Sequence, residues 1–148
     1  MAILTKHRVA QLIILGEGKD RSELEREATA LGIADRVAMP GMVPEVGPWM
    51  RHADLLVSSS RFEGSPGVLI EGLAAGCPIV ATRCPGGSIE LLEGESAGLL
   101  VPVEEPRAMA DAIEQMLDTE VDPQTLRDRA QPYRESRSTL SYLEALVS

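Results

Sequence analysis

An alternation along the chain constrains its fold more than any other feature. Short apolar, β-branched runs (Val9 to Leu15, Arg36 to Met39, Asp54 to Ser58, Pro78 to Thr82 and Gly98 to Val101) are separated by longer amphipathic or Ala-rich segments. Strands that are apolar on nearly every residue must be covered on both faces, and the segments between them are long enough to serve as crossover helices. The pattern predicts an α/β fold: a parallel sheet with helices on both faces. Arg21 to Leu31 reads as a helix with Asp20 as N-cap, Glu23 three residues later and Gly32 as its stop. Pro66 and Pro106, preceded by Ser65 and Glu105, each suit a first helical turn. Met109, Ile113, Met116 and Leu117 recur at i, i+4, i+7 and i+8, one apolar face of a helix, so these methionines read as core.

From Glu120 the character changes. Asp122-Pro123 starts a charged helix, Pro132 interrupts it, and Leu140, Leu143 and Leu146-Val147 mark another apolar stripe. The expected organisation is a domain over 1–120 and a helical tail over 121–148 that folds back over the domain or toward a neighbour. Ala2 to Arg8 reads as the end of a helix, so the chain is expected to start late.

Length and composition narrow the function. With 148 residues, 44% of them apolar, one compact globular unit is expected. Its 23 acidic and 14 basic residues give a formal charge of −9, which argues against a nonspecific grip on nucleic acid or an anionic membrane. Trp49, Phe62, Tyr133 and Tyr142 are too scattered to stack single-stranded bases. Cys77 and Cys84 flank a strand, which separates them by roughly 20 Å, far beyond disulfide reach. They read as free thiols of a reducing, cytoplasmic compartment. Neither their spacing nor that of His7 and His52 fits a zinc site, so no metal is expected. No signal peptide and no apolar run of about 20 residues is present, so no transmembrane segment is expected.

Chemistry concentrates at two carboxylates, Glu63 and Glu71, separated by Gly64-Ser65-Pro66-Gly67-Val68-Leu69-Ile70. Glu63 precedes a Gly-rich turn into a helix, where free N–H groups can meet an anion. Glu71 interrupts the uncharged run Val68 to Cys77, where a desolvated carboxylate is costly unless something binds it. Ligands of open parallel sheets bind at the carboxyl ends of the strands. Those ends carry Gly16-Glu17-Gly18, Gly41-Met42-Val43, Ser59 to Gly64 and Arg83-Cys84-Pro85-Gly86-Gly87. Arg61 and Arg83 could supply charge for a diphosphate. Each signal alone has a bland alternative: a Gly loop is usually only a turn, Arg83 can be a solvated loop residue, and Gly16-Glu17-Gly18 lacks the third glycine of a nicotinamide fingerprint.

Taken together, the motifs carry a resemblance. Ser60 to Thr82, containing Glu63 and Glu71, resembles the Glu-x7-Glu segment of retaining GT-B glycosyltransferases of the large group-4 type. Leu12 to Gly18 is similar to that family's strand ending in Gly-x-Gly, and Gly41-Met42-Val43 to its Gly-aromatic-Val turn. Pro85 to Glu90 is similar to its donor-side glycine loop, and Gly98 to Pro102 to its next strand. The motifs occur in the family's order between about residues 9 and 118.

The resemblance implies the Rossmann-like, C-terminal nucleotide-sugar-binding lobe of a two-lobe enzyme. Glu63 would contact the donor sugar near the reacting centre, and the amides of Gly64, Ser65, Pro66, Gly67 and Val68 would line the sugar and diphosphate. Glu71 would accept from the ribose hydroxyls, Gly41, Met42 and Val43 would line the base, and Gly86, Gly87 and Glu90 would lie near the sugar or diphosphate. Gly16, Gly18 and Arg61 complete the implied donor set. No cofactor is implied beyond the nucleotide-sugar donor, UDP ahead of GDP, and transfer retains configuration without a metal. Ser65 and Met42 stand where the family often has aromatics. The family's first strand of this lobe, with its diphosphate-gripping Gly-Arg and Lys, and its acceptor lobe, for a glycan or lipid-linked acceptor, would precede residue 1. The expectation is therefore a fragment inactive alone, from a cytoplasmic enzyme peripheral at the inner membrane. Two alternatives stay open: a noncatalytic Rossmann-like interaction module, and a lobe of a nucleotide-sugar epimerase.

Overall fold

A computed structural model describes residues 10–64, 66–94 and 97–133. The segment 2–8, Val9, Ser65 and the stripe Leu140, Leu143, Leu146 and Val147 lie outside the described residues. The α/β class is as expected, but the chain packs as two compact units, dividing between Val46 and Gly47, rather than one. Among the described residues five strands form two parallel sheets, one of two strands and one of three.

In the first unit, β1 (Leu12–Leu15) is followed by α1 (Arg21–Ala30), a 3-10 turn (Ala34–Arg36) and β2 (Val37–Gly41). β1 and β2 pair in parallel, with an irregularity between Ile13 and Leu15. Ala28 and Ile33 are buried against Ala10, Leu12 and Val37. β2 runs past Met39 through Pro40 to Gly41, as an edge strand can, because it need not donate from every residue. Asp20 occupies the N-cap of α1 without a side-chain capping bond; its backbone carbonyl accepts from Glu23 and Leu24 at 3.0 Å each. Gly32, at φ +67°, stops the helix as expected.

The second unit contains α2 (Gly47–His52), β3 (Leu56–Ser58), α3 (Gly67–Ala75), β4 (Ile79–Thr82), α4 (Ser88–Leu92), β5 (Gly98–Val101), α5 (Pro106–Leu117), α6 (Pro123–Ala130) and a 3-10 turn (Gln131–Tyr133). Strand order is β3-β4-β5, all parallel, and every residue of the central β4 is buried. Period-2 alternation explains how. Ile79 and Ala81 pack with Leu69 and Leu73 of α3, Leu91 and Leu92 of α4, and Leu126 and Ala130 of α6. Val80 points the other way, into Val101 and into Ala112 and Met116 of α5. Helices therefore cover both faces, which is what an uninterrupted apolar strand requires.

Three local expectations shift. Pro66 is the N-cap of α3 rather than part of its first turn, and its carbonyl accepts from Leu69 and Ile70 at 2.9 and 3.0 Å. Pro106 does sit in the first turn of α5. Met116 is buried as read, whereas Leu117, the last residue of that helix, is exposed. The described part of the tail belongs to this core, since Leu126 is fully buried.

α6 begins with a side-chain cap: Gln124 N–H donates to Asp122 Oδ1 at 3.0 Å and Thr125 Oγ1 to Oδ2 at 3.2 Å. The Gln124 amide foremost holds the Asp122 carboxyl below the usual carboxylate range. A depressed folded value contributes stability above the unfolded value and loses it as pH falls through the folded one. Asp122→Ala is expected to lower the melting temperature at pH 7 modestly. Its deficit against wild type should shrink toward pH 3 in a thermal-melt series, and a deficit constant across pH would count against the cap.

Cys77 and Cys84 are free and buried. Burial pushes the Cys77 thiol up to about 11, so it packs as a small apolar group. Among the described residues no helix is long and apolar enough to cross a membrane.

Candidate functional site

The parallel strands of the second unit deliver three loops to one end of its sheet: residues 59–64 after β3, 83–87 after β4 and 102–105 after β5. The first two are tied together. Glu63 N–H donates to the Pro85 carbonyl at 3.2 Å. Gly86, at φ +120°, lies so close that a Cβ built on it would stand 1.7 Å from the Glu63 carbonyl oxygen. Gly87 approaches Pro66 similarly, with a built Cβ 2.9 Å from Pro66 Cδ. Gly86 thus permits a close backbone approach that no other residue allows, and Gly87 makes room for the Pro66 ring.

Glu63 is half-buried, and its Oε1 accepts from Ser60 Oγ. Ser60 is held in turn by its carbonyl, which accepts from the buried Thr82 Oγ1 at the end of β4. A three-member chain, Thr82 to Ser60 to Glu63, therefore fixes the carboxylate at the loop mouth. Gly67 and Val68 open α3, whose own hydrogen bonds start with the N–H groups of Leu69 and Ile70. The preceding N–H groups stand at the positive end of a helix dipole next to the Glu63 loop.

Glu71 corrects the desolvation argument. It is exposed, not buried. Leu69, Gly72 and Leu73 take the core face of α3, while Val68 and Glu71 share the opposite one, so the uncharged run reflects one buried face and small residues elsewhere. Glu71 has no hydrogen-bond or ion-pair partner among the described residues. Glu90 is exposed in the first turn of α4, and Gly64 is exposed. Ser65 lies outside the described residues. Arg61 is exposed and pairs with Glu104, Nε to Oε1 at 2.8 Å. Arg83 is exposed, and its N–H donates to the Val101 carbonyl at 2.7 Å.

In the first unit, Gly16 N–H donates to the Gly41 carbonyl at 2.8 Å, joining the ends of β1 and β2. Gly41, buried at φ +82°, leaves room for Glu17, whose Oε1 would be 2.7 Å from a Cβ there. Arg21 clamps the group, donating to Glu17 at 2.6 Å, to Glu25 at 3.0 Å and to the Met39 carbonyl at 2.7 Å. Gly18 and Met42 are exposed and Val43 half-buried. Ser60, Thr82, Glu104, Glu17 and Arg21 are absent from the expected site. Thr82, the one polar residue of an otherwise apolar strand, carried a readable signal, whereas the Arg21 clamp depends on a contact eighteen residues away.

The family model for glycosyl transferases group 1 matches residues 1–119. The chain belongs to that family. It is 36% identical over 106 residues, 72% of its length, to the lipopolysaccharide core biosynthesis glycosyltransferase LpsE of Rhizobium meliloti, of which it covers 31%. Among solved structures it superposes on Anabaena HepE in complex with UDP with a TM-score of 0.81 at 24% identity, covering 99% of this chain and 43% of HepE. The C-terminal domain of the group 1 family protein LpcC from Francisella tularensis aligns with a TM-score of 0.70 at 22% identity, covering 88% of this chain and 69% of that one. At such identities the structural likeness is one of fold, that of GT-B glycosyltransferases. The chain spans about a third of LpsE.

Proposed function

We propose that this chain is the donor-binding lobe of a retaining, group-4-type glycosyltransferase, and that alone it binds donor without transferring sugar. Glu63 meets the donor sugar and Glu71 the ribose hydroxyls. A hydroxyl of a glycan or lipid-linked acceptor, presented by a further lobe, attacks the anomeric carbon on the face from which the diphosphate leaves. Its proton passes to the departing phosphate oxygen as the sugar–oxygen bond breaks. Charge on the leaving group is met by Arg61 and the first N–H groups of α3, with no metal required.

The observation that carries the proposal is the backbone contact of Glu63 with Gly86, which brings two motifs separated in sequence into one constellation. The LpcC domain supports a separable C-terminal lobe, and the UDP in HepE supports UDP ahead of GDP. Two buried free cysteines fit a cytoplasmic enzyme.

Glu71 gives the cleanest test because it is exposed and has no partner among the described residues. Glu71→Gln should weaken UDP binding about tenfold, the loss of a charge-assisted hydrogen bond, and leave the melting temperature unchanged. Saturation-transfer NMR with UDP and GDP reads the first, and a thermal melt the second. A folded chain that transfers no saturation to either nucleotide is an interaction module instead. Sugar transfer by the 148 residues alone would refute the need for a second lobe.

A further inference from the structure

Glu104 is the one non-glycine residue among those described with positive φ, at +62°. The left-handed region is unfavourable for an L-residue, so a glutamate there calls for a compensating role. It occupies the loop after β5, at the same end of the sheet as the Glu63 loop, and its carboxylate meets Arg61 Nε at 2.8 Å. Both side chains are largely exposed, at 81% for Arg61 and 67% for Glu104, so their mutual attraction adds little to stability. Weak in water, the pair is easily exchanged. Arg61 stands two residues before Glu63, whose position is locked by Ser60 and by Gly86. A guanidinium at that place has a fork suited to phosphate oxygens, and a phosphate carries more charge than a carboxylate.

We propose that Glu104 is a positioning residue that competes with donor phosphate for Arg61. Its carboxylate keeps the guanidinium extended at the mouth of the Glu63 loop and gives it up when a diphosphate arrives. The bent backbone at Glu104 is what brings the carboxylate of one loop across to the arginine of another. The inference rests on the donor-site reading above and adds a residue to it. It makes a prediction opposite in sign to that for a supporting residue: removing Glu104's charge should tighten binding.

The test is titration of the 148-residue chain with UDP and, separately, with inorganic pyrophosphate, followed by NMR at low ionic strength. Glu104→Gln should bind both about two- to fivefold more tightly, the range set by an exposed ion pair. Arg61→Gln should bind both more weakly, and in that background the gain from Glu104→Gln should largely vanish. Tightening that persists without Arg61 would show general repulsion rather than competition and overturn the proposal. So would Glu104→Gln binding that is unchanged or weaker while wild type binds UDP, an outcome that spares the donor-site reading. If pyrophosphate shows the pattern and UDP does not bind, the donor-site reading falls and the competition stands. If neither ligand binds a folded wild-type chain, both fall. Glu104→Gly separates backbone from charge: it should tighten binding as Glu104→Gln does and also raise the melting temperature, because glycine adopts this φ freely.

Discussion

Gly86→Ala is expected to abolish detectable nucleotide binding and to lower the melting temperature by roughly 10 °C. The glycine sits at φ +120°, a conformation L side chains rarely adopt, and a Cβ there would stand 1.7 Å from the Glu63 carbonyl oxygen and 2.8 Å from its carbon. An unstrained contact between such atoms lies at about 3.5 Å, so one of two backbones has to move by on the order of 2 Å. Neither can yield by rotating a side chain. Moving the loop sacrifices the Glu63 N–H bond to the Pro85 carbonyl and pulls Glu63 from the grip of Ser60. The left-handed penalty, a lost hydrogen bond and the displaced loop together come to about 3 kcal/mol. Binding suffers more than stability, because a site misplaced by that distance no longer offers its donors where the ligand needs them. Gly64→Ala is the matched control: nothing lies within 4 Å of a Cβ built there, so its fold should be untouched. Circular dichroism melts and saturation-transfer NMR decide the matter. A Gly86→Ala chain that melts and binds like wild type would mean that Glu63 and Gly86 are not in contact in solution.

How much of this was legible in the sequence follows from which forces are local. β5 matches its expected bounds, Gly98 to Val101, because glycine and proline punctuate both ends. β3 begins at Leu56 rather than Asp54, since Asp54 is charged and exposed where the apolar ladder starts. The uninterrupted apolar character of β4 tells that helices cover both its faces, yet it cannot tell that the strands divide into two sheets, because it says nothing about which strands are neighbours. The turns around Glu63 and Gly86 mark both residues in the sequence, but the contact between them joins residues 23 positions apart, and no spacing rule reports it. Glu71 shows the opposite error. Its uncharged neighbours in sequence are not its neighbours in space, because a helix sends Leu69 and Leu73 inward and Glu71 outward. The sequence offers Arg61 as charge for a diphosphate, but its partner Glu104 belongs to another loop.

The sharpest test of the scaffold is Gly98→Ala, for which two rules predict opposite signs. Replacing a strand glycine by alanine ordinarily stabilises, by about 0.4–1 kcal/mol, because the unfolded chain has fewer conformations to lose. Gly98 has no positive φ to protect, so that gain is available in principle. Space decides against it. A Cβ on Gly98 would lie 2.3 Å from the carbonyl oxygen of Ile79, its partner in the β4–β5 ladder, and 3.1 Å from the carbonyl carbon. The contrast with Gly72 is instructive, since there the nearest atom, at 2.6 Å, is the tip of the Leu56 side chain, which can rotate aside. At Gly98 the obstacle is backbone in the centre of the sheet, and β4 is pinned by α3, α4 and α6 on one face and α5 on the other. β5 must therefore slide or tilt away, straining the ladder and opening the packing around Val101. Overpacking costs about 1–3 kcal/mol and each weakened ladder bond about 1 kcal/mol, so a net loss near 3 kcal/mol is expected. Against a typical total of about 5–15 kcal/mol that is a large fraction. Urea unfolding should show a lower midpoint with an unchanged slope, the mark of a destabilised but still cooperative native state. A midpoint at or above wild type would mean that β4 and β5 are not paired in the register Ile79 to Gly98, and with it the placement of the Glu104 loop beside Arg61 would lose its support.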